Sequence, residues 1–440
     1  EWRERIERWR DELPRHFIVP LINVELEGFV TKEHLSAEQA AEGDFEPMPP
    51  GTRWGGKWEY GWFRGSFTTP AEAAGEQLVL LYGMRSGGVG DLVWVNGELL
   101  AERERHNPNV LTLADPAREG QEFEFLAETY ASHGPWNCHA GPTPPGRDTV
   151  PEPPETQVEV GETTVGIWQE DVYQLWIDVV SLLEIRDNID ENSLRMAEID
   201  VALRNFTYNV DFEGSRDHML ETVRHARNEL HPLLECHNGS TAPTLYAYGH
   251  AHIDVAWLWP LAETRRKVAR TFSNQLLLAQ SYPEFMFLQS QPHLFRMCKQ
   301  SYPELYDRVK QGVTDGNILV EGGMWVEADT NVSAGEALIR QFIHGKRFYN
   351  DEFGVDCEML WLPDVFGYSG AMPQIMRGCG VKYFATAKIY WNYHGGDPFP
   401  YDTFTWEGID GSEVLVHLCH NYNSEASPKH AIQRWNQRRN

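Results

Sequence analysis

The sequence predicts a multidomain α/β plus all-β protein, with an N-terminal β-sandwich, a helical linker and a parallel (β/α) barrel-like domain that is truncated. Three observations support this fold class. The chain has 440 residues, well above the roughly 150 residues of a common domain. Short β-branched and aromatic runs separated by Gly, Pro and Asn follow residue 54, as in antiparallel sandwiches. From about residue 244 strand-like and helix-like segments alternate, as in parallel βα units.

The N-terminal region divides into two predicted parts. Residues 1–54 are expected to form a short helix, "EWRERIERWRDEL", followed by irregular Pro-rich chain. Residues 55–186 are expected to form the sandwich, because "KWEYGWFRGSFTTP", "EQLVLLYGM" and "TTVGIWQEDVYQLWIDVVSLLEI" have the composition of strands. Within it, "WVNGEL" places Asn-Gly between two strand-like runs. A type I′ hairpin turn favours this pair, because both of its central residues need a positive φ.

The remaining chain is predicted to hold the linker and the βα domain. Residues 187–240 have apolar residues at helical spacing and are expected to form linker helices. Residues 241–440 are expected to form the barrel-like domain, whose ligands would bind at the carboxyl ends of its strands. The expected strands are "TLYAY", "FMFLQS", "NILVEG", "EMLWL" and "KYFATA".

Composition excludes several classes of partner. The chain has 65 acidic and 38 basic residues, a formal charge of −27, which opposes binding to nucleic acid or to an anionic membrane. No segment approaches the ~18 uninterrupted apolar residues of a membrane helix. The six cysteines are scattered without a C-x-x-C pair, which predicts reduced thiols. With no apolar signal-peptide core at the start, the sequence predicts a cytoplasmic location.

Polar side chains follow successive predicted strands at the same end. Scattered surface residues would not group in this way, so the pattern predicts a functional site at the carboxyl edge of the sheet. The residues concerned are His250, His252 and Asp254, then Gln289 and Gln291, then Trp325, Glu327 and Asp329, then Asp364, then Lys388.

The segment "GHAHIDVAW" predicts a metal site. His252 and Asp254 point the same way if the chain is extended, and imidazole and carboxylate are good zinc ligands. Asp364, at the end of the apolar run in "MLWLPDVFGYSG", is a candidate third ligand, nucleophile or both. The structural alternatives are that the His-x-Asp pair bonds a turn and that Asp364 is an ordinary acid in a first helical turn.

Aromatic residues near these positions predict a sugar site. Trp257, Trp325, Phe366 and Trp391 offer flat apolar faces beside polar groups, as carbohydrate sites do. Glu327 lies beside them as a candidate contact to substrate hydroxyls.

Four segments carry a resemblance to a known family: "GHAHIDVAWLWPLAETRRK", "EGGMWVEADTNVSAGEALIRQ", "MLWLPDVFGYSGAMPQIMRGCGVKYF" and "FTWEGIDGSEVLVH". Residues from about 244 to 420 resemble the catalytic domain of glycoside hydrolase family 38, the retaining α-mannosidases, in their cytosolic and bacterial branch. The sandwich is similar to the galactose-binding-like N-terminal domain of that branch.

The resemblance implies specific roles. His252, Asp254 and Asp364 would bind zinc, or cobalt in some members, and Asp364 would also form a covalent mannosyl intermediate. Trp257 and Phe366 would shape the mannose pocket. The implied partner is a mannose-containing oligosaccharide, and the full-length protein is expected to form homo-oligomers.

The acid/base residue remains open on sequence grounds. A retaining glycosidase needs a second carboxyl group about 5 Å from its nucleophile. The candidates are Asp397, Asp402 and Asp410 in "YHGGDPFPYDTFTWEGIDGS", with Glu327 and Asp329 as alternatives.

The resemblance also implies a fourth metal ligand and further domains. The family's fourth ligand is a histidine expected beyond Asn440, unless His417, His420 or His430 replaces it. The family's helical bundle and C-terminal sandwich are not in the sequence either, so we expect the chain to be a fragment.

Two other function classes compete with a glycosidase. "HAH" also resembles the His-x-His of amidohydrolase-type metal hydrolases, and a metal-dependent sugar deacetylase is a weaker variant of that reading. Such enzymes need further histidines at later strand ends, whereas His293 and His344 fall on predicted helices. The non-enzymatic alternative is a carbohydrate-binding protein that uses residues 55–185. A lectin needs no nucleophile, so Asp364 argues against it.

Overall fold

The computed structural model describes residues 2–86, 90–101, 110–132, 154–237, 239–390, 399–419, 422–423 and 425–438. The chain opens with helix α1 (Trp2–Glu12), and the short helix α2 (Ala37–Ala41) follows two strands later. The strands of the N-terminal region are β1 (Ile18–Val24), β2 (Glu27–Thr31), β3 (Glu46–Pro47), β4 (Arg53–Trp54), β5 (Tyr60–Thr68), β6 (Leu78–Leu81), β7 (Met84–Ser86), β8 (Asp91–Val95), β9 (Glu98–Ala101), β10 (Val110–Ala114), β11 (Glu122–Tyr130), β12 (Val158–Val160) and β13 (Thr163–Trp168).

These strands form a β-sandwich, as predicted. One antiparallel sheet has the order β1-β13-β6-β10, the other has the order β3-β2-β5-β11-β8-β9, and a small third sheet has the order β4-β12-β7. A single apolar core takes Leu80 and Val165 from the first sheet and Phe63, Val93 and Phe125 from the second. At the start of β11 every second residue is buried in this core. Such alternation is expected of a strand that turns one face inward.

The predicted hairpin turn at Asn-Gly is confirmed. Asn96 has φ +49° and Gly97 has φ +84°, between the antiparallel strands β8 and β9. Both central residues therefore have the positive φ that a type I′ turn requires.

Two parts of the sequence prediction for this region are wrong. Residues 1–54 are not irregular after the first helix, because β1 joins one sandwich sheet and β2 and β3 join the other. The run after Trp168 is helix rather than strand, because Val172, Leu175, Val179 and Leu182 repeat at helical spacing. The aromatic and β-branched composition of that run is typical of strands, and the periodicity overrides it.

The linker region consists of three packed helices. They are α3 (Glu170–Asn188), α4 (Leu194–Asn209) and α5 (Arg216–Leu234). Ser193 and Ser215 cap the last two, each hydroxyl accepting a hydrogen bond from the backbone N–H three residues later. A separate apolar core holds the helices together with α1. Helix thus begins inside the predicted sandwich, and the exact domain boundaries stay predictions.

The C-terminal region alternates strands with helices, as predicted. Its strands are β14 (Gly249–His250), β15 (Phe287–Gln289), β16 (Ile318–Val320), β17 (Met359–Leu362), β18 (Tyr383–Thr386), β19 (Thr403–Glu407) and β20 (Glu413–Leu418). Its helices are α6 (Leu261–Ser281), α7 (Pro292–Ser301), α8 (Pro303–Asp315), α9 (Gly335–Phe353), α10 (Met372–Gly378) and α11 (Pro428–Gln437).

The parallel strands lie side by side in chain order. One sheet has the order β14-β15-β16, the other has the order β17-β18-β20-β19, and a parallel bridge between Gly322 and Leu360 joins them. Only β19 runs antiparallel, against β20. Within the described residues no pairing closes this sheet into a ring, so the barrel stays a prediction. No helix in the described ranges is long and apolar enough to cross a membrane.

The first predicted strand of this region is wrong. "TLYAY" lies outside β14, which begins only at Gly249. Tyr246 is 88% exposed and Leu245 is 53% exposed, so the run is not buried. Backbone pairing with β15 reaches only Gly249 and His250, and an apolar run gains strand structure only where a neighbouring strand bonds it.

Candidate metal centre

Two chain segments at the carboxyl edge of the parallel sheet bring the predicted metal ligands together. His252 and Asp254 follow β14, and Asp364 follows β17. One ligand atom from each of the three lies within 4.8 Å of the others. The grouping predicted from strand ends is therefore present, although Asp364 is more than a hundred residues away in sequence.

The distances between these atoms suit one small cation. The Nε2 atom of His252 lies 3.3 Å from an oxygen of Asp254 and 3.5 Å from an oxygen of Asp364. Two ligands at the usual zinc distances lie about 3.3 Å apart when the ion is tetrahedral. These two distances match those between ligands of one zinc ion, and the third pair lies within 4.8 Å.

A buried carboxylate fixes the orientation of His252. The Nδ1 atom of His252 is 2.6 Å from Oε2 of Glu327, whose side chain is only 5% exposed. The hydroxyl of Ser290 donates to the other oxygen of Glu327 at 3.1 Å, and the amide of Gln291 holds the backbone of the loop by donating to the carbonyl of Ile253 at 2.9 Å. A carboxylate behind a histidine places the proton on Nδ1 and directs the lone pair of Nε2 toward a metal.

The other nitrogen of His252 is an orphan. Nε2 is buried and makes no hydrogen bond within the described part of the chain, although two carboxylates lie near it. A lone pair that faces carboxylates is repelled by them unless a positive charge lies between. Burial lowers the pKa of His252, but Asp254 and Glu327 outweigh burial and raise it to about 10. The cluster therefore demands a cation at Nε2, which a proton or a metal ion can provide.

Asp364 has a second set of partners on its other side. Nζ of the buried Lys388 lies 2.6 Å from Oδ1 of Asp364, and the hydroxyl of Tyr422 donates to the same oxygen. Burial and the neighbouring Asp364 raise the pKa of the Tyr422 hydroxyl, which keeps it a donor. Oδ1 is thus held by protein donors, while Oδ2 faces His252.

The aromatic residues divide into two groups. Trp257 is 46% exposed and Phe366 is 63% exposed, and both belong to the loops that carry the metal ligands. Lys388 places Nζ 4.6 Å from the ring centre of Phe366, so this ring lies beside Asp364.

Trp325 belongs to the second group and packs between α7 and α9. Its ring centre lies 5.3 Å from that of His293 and 5.8 Å from that of Phe348. Trp391 lies outside the described residues.

The acid/base candidates are separated by their positions. Asp410 occupies the β19–β20 turn at the opposite edge of the sheet, and its carboxylate accepts from both the backbone N–H and the hydroxyl of Ser412. This position, at the edge of the sheet away from Asp364, does not favour Asp410 as the acid/base residue. Asp402 directly precedes β19 at the correct edge and is buried. Asp397 lies outside the described residues, and Asp329 accepts from the backbone N–H groups of Asn331 and Val332.

Among the described residues, no histidine joins the cluster as a substitute fourth ligand. His417 lies on β20 with Nδ1 2.9 Å from the hydroxyl of Thr403, and His430 lies on α11 with Nδ1 2.9 Å from the hydroxyl of Ser427. Neither joins the group of possible ligands formed by the described residues. His420 lies outside those residues. His250 contacts Ser290 through Nε2 at 3.3 Å and lies behind the cluster.

Sequence reasoning missed the roles of two residues. The sequence predicts that Glu327 contacts substrate, whereas the structure shows it hydrogen-bonded to Nδ1 of His252. Nothing in the sequence around Glu327 indicates this contact. No sequence pattern marks Tyr422, because its contact with Asp364 depends on the fold of the chain after β20. Lys388 was placed at the correct edge by the strand-end pattern.

Known proteins match this chain over both regions. Residues 242–439 match the domain described as Glycosyl hydrolases family 38 N-terminal domain, and residues 19–150 match the domain described as Alpha-mannosidase, jelly roll domain. The chain is 36% identical to Alpha-mannosidase 2C1 of Homo sapiens over 405 residues, which are 89% of this chain and 36% of that protein.

Two further relatives agree with these matches. Identity to Alpha-mannosidase G of Dictyostelium discoideum is 32% over 408 residues, covering 91% of this chain and 36% of that protein. Identity to Alpha-mannosidase of Saccharomyces cerevisiae is 45% over 175 residues, covering 40% of this chain and 16% of that protein. The chain thus spans 36% of the length of the human and Dictyostelium relatives.

Proposed function

Because residues 242–439 of this chain match the Glycosyl hydrolases family 38 N-terminal domain, we propose that the protein belongs to that family and is a metal-dependent, retaining α-mannosidase. In this proposal it removes terminal α-linked mannose from oligosaccharides. His252, Asp254 and Asp364 hold a zinc or cobalt ion, and Asp364 is also the nucleophile.

One observation carries this proposal. The buried Nε2 of His252 has no hydrogen-bond partner among the described residues and faces Asp254 and Asp364. Either a proton or a metal ion can supply the positive charge that this nitrogen and the two carboxylates need, and the proposal assigns that place to the metal ion. When bound, the metal would act as a Lewis acid and orient the sugar hydroxyls.

The side chains of the site suit a double displacement. Asp364 attacks the anomeric carbon as a carboxylate, the glycosidic bond breaks, and the leaving oxygen takes a proton from a second carboxyl group. That group, then a carboxylate, removes a proton from water, which attacks the anomeric carbon and releases mannose and Asp364. Lys388 and Tyr422 keep Asp364 oriented by hydrogen bonding to Oδ1.

Position in the sheet favours some candidates for the second carboxyl group over others. Asp402 lies at the correct edge of the sheet, whereas Asp410 lies at the opposite edge. We therefore retain Asp402, together with Asp397 outside the described residues, as the acid/base candidates.

The rest of the pocket is assigned from exposure. Trp257 and Phe366 offer exposed rings beside the ligands, on which the C–H face of mannose would pack. Glu327 is buried behind His252, so its proposed role is to orient that ligand. Trp325 packs between two helices, against His293 and Phe348. Its contact with substrate is proposed from the sequence alone.

Several properties of the whole protein belong to the same proposal. A barrel is supported by an apolar cluster of strand residues, Leu288, Trp361 and Ala385, which contains no helix residue. A cytoplasmic location follows the branch that the sequence resembles. With a charge of −27 we expect no binding to nucleic acid or anionic membranes, and a homo-oligomer remains expected at full length.

The amidohydrolase alternative is weakened by His250. That class would use His250 and His252 as a ligand pair, but His250 contacts Ser290 and does not join the ligand group of the described residues.

The test uses the protein at its full natural length with an activated α-mannoside. We expect turnover to require metal and Asp364→Ala to lower kcat on the order of 10⁴-fold, while Asp410→Ala has little effect. A fluorosugar should label Asp364 stoichiometrically. Unchanged turnover after chelation, or full activity of Asp364→Ala, contradicts the mechanism.

A further inference from the structure

We propose that the β-sandwich helps to position the metal ligands. A buried polar cluster at its junction with the βα domain holds the loop that carries His252 and Asp254. The junction cluster consists of Tyr60 and Glu128 from the sandwich and Glu263, Arg266 and Arg270 from α6. This inference rests on the proposed metal role of His252 and Asp254.

Two hydrogen-bonded pairs cross the junction. The hydroxyl of Tyr60 donates to Oε2 of Glu263 at 2.9 Å, and the guanidinium of Arg270 donates to Oε1 of the same carboxylate. Nε of Arg266 donates to Oε1 of Glu128 at 2.8 Å, and its guanidinium lies 4.5 Å from the ring centre of Tyr60. Strands β5 and β11 of the sandwich thus hold the first two turns of α6.

Burial makes these contacts obligatory. All five side chains are buried, and Glu263 is completely inaccessible. Burial raises the pKa of Glu128 to about 7 even though Arg266 opposes the shift. Separating a buried charge from its partner leaves it uncompensated, which strongly destabilises the folded state. Displacement of α6 from the sandwich is therefore strongly disfavoured.

The backbone of the sandwich also approaches the cluster closely. A Cβ atom added to Gly90 would lie 2.3 Å from Nε of Arg270, so this position has room only for glycine against that guanidinium. The close approach leaves α6 little freedom to slide along the sandwich.

The ligand loop, residues 251–260, is attached to this anchored helix. Its last residue, Pro260, precedes α6, and Nε1 of Trp259 donates to the hydroxyl of Thr264 in the first turn at 3.1 Å. Ile253, which lies between the two ligands, is buried in an apolar cluster that also contains Leu92 and Leu99 of the sandwich. His252 and Asp254 are therefore linked to the sandwich through both ends of the loop.

An alternative is that the junction cluster only holds the two regions together. In that case its loss lowers stability without changing the geometry of the ligands. Metal affinity and the spectrum of bound cobalt separate the two possibilities, because both depend on ligand positions and neither depends on global stability while the protein is folded.

The test compares Tyr60→Phe with Tyr306→Phe in the full-length protein. Tyr306 is a matched control, since it is also buried and its hydroxyl also donates to a carboxylate, that of Glu352 at 2.8 Å. Cobalt(II) affinity, the visible spectrum of the cobalt form and the free energy of unfolding are measured for each. Glu128→Gln, on the neighbouring strand of the same sandwich sheet, serves as a second variant.

We expect Tyr60→Phe and Glu128→Gln to displace the ligand loop, and so to weaken cobalt binding about 10-fold and alter the cobalt spectrum; this loss is at the lower end of that caused by removing a direct partner of a metal ligand. Tyr306→Phe should leave both unchanged. Normal affinity and spectrum in the two junction variants, with lowered stability alone, overturn the inference. Failure of the wild-type protein to bind cobalt overturns the proposed metal site, and the inference with it.

Discussion

At the scale of single residues, the site depends on which nitrogen of His252 is protonated. Glu327 accepts from Nδ1 and leaves Nε2 without a hydrogen-bond partner among the described residues, beside the carboxylates of Asp254 and Asp364. Glu327 is in turn held by the hydroxyl of Ser290. The ligand set is thus prepared by residues that would not touch the metal.

This arrangement predicts a graded response at Glu327. Glu327→Ala removes the acceptor for Nδ1 and should weaken zinc binding about 10- to 100-fold, measured by competition with a chelating dye. Glu327→Gln keeps an acceptor oxygen and should lose less. Glu321→Gln is the control, because Glu321 accepts from backbone N–H groups of Gly322 and Met359 rather than from a ligand. Equal affinities for all three variants would show that Glu327 does not orient His252.

Sequence reasoning predicted the grouping of the proposed ligands better than the contacts that support them. The strand-end pattern placed His252, Asp254 and Asp364 at one edge of the sheet, where one atom of each lies within 4.8 Å of the others. The link from Glu327 to His252 joins residues 75 positions apart. No local pattern signals such a contact, since it depends on how β16 and its following loop lie against β14.

At the scale of elements, the site is formed where neighbouring parallel strands end. The strand-helix alternation predicted this edge, and β15, β16, β17 and β18 lie within the expected segments. The predictions that fail are those made from composition alone. The apolar run "TLYAY" has no neighbouring strand to pair with, and the aromatic run of α3 is helical because its apolar residues repeat at helical spacing. Composition alone does not contain either fact.

The crossing from β16 to β17 predicts a large effect of one methyl group. A Cβ atom at Gly322 would lie 2.5 Å from the carbonyl oxygen of Ser290, and its φ is +124°. Gly322→Ala should therefore lower the free energy of unfolding by about 3 kcal/mol and also weaken metal binding through Ser290.

The matched control for that substitution is Gly354→Ala at the end of α9. Gly354 has φ +69° and nothing within 4 Å of an added Cβ, so the change should cost about 1 kcal/mol and leave metal binding unchanged. Denaturant unfolding measures both variants. A smaller loss in Gly322→Ala than in Gly354→Ala would contradict the packing described for this strand end.

At the scale of the whole molecule, the sandwich, the linker helices and the βα region are joined through buried contacts. Leu92 and Leu99 of the sandwich share an apolar cluster with Ile253 of the ligand loop. The charge of −27 indicates a surface suited to neutral substrates rather than to polyanions. Sequence patterns predicted the order of these regions, but the buried charges of α6 look like a solvated helix face in the sequence.

Coupling of the metal to the folded state predicts ligand-linked stability. Zinc at 100 times its dissociation constant should raise the free energy of unfolding by about 2.7 kcal/mol, because the unfolded chain has no assembled site. His252→Ala should abolish this gain, which calorimetric melting with and without zinc measures. A gain that persists in His252→Ala would place the zinc elsewhere.

A zinc-edge anomalous difference map from crystals grown with zinc locates the ion itself. We predict one strong peak about 2.0–2.2 Å from Nε2 of His252 and from carboxylate oxygens of Asp254 and Asp364. A map without a peak between these three residues, or with zinc on the Nδ1 side of His252, would contradict the proposed metal site.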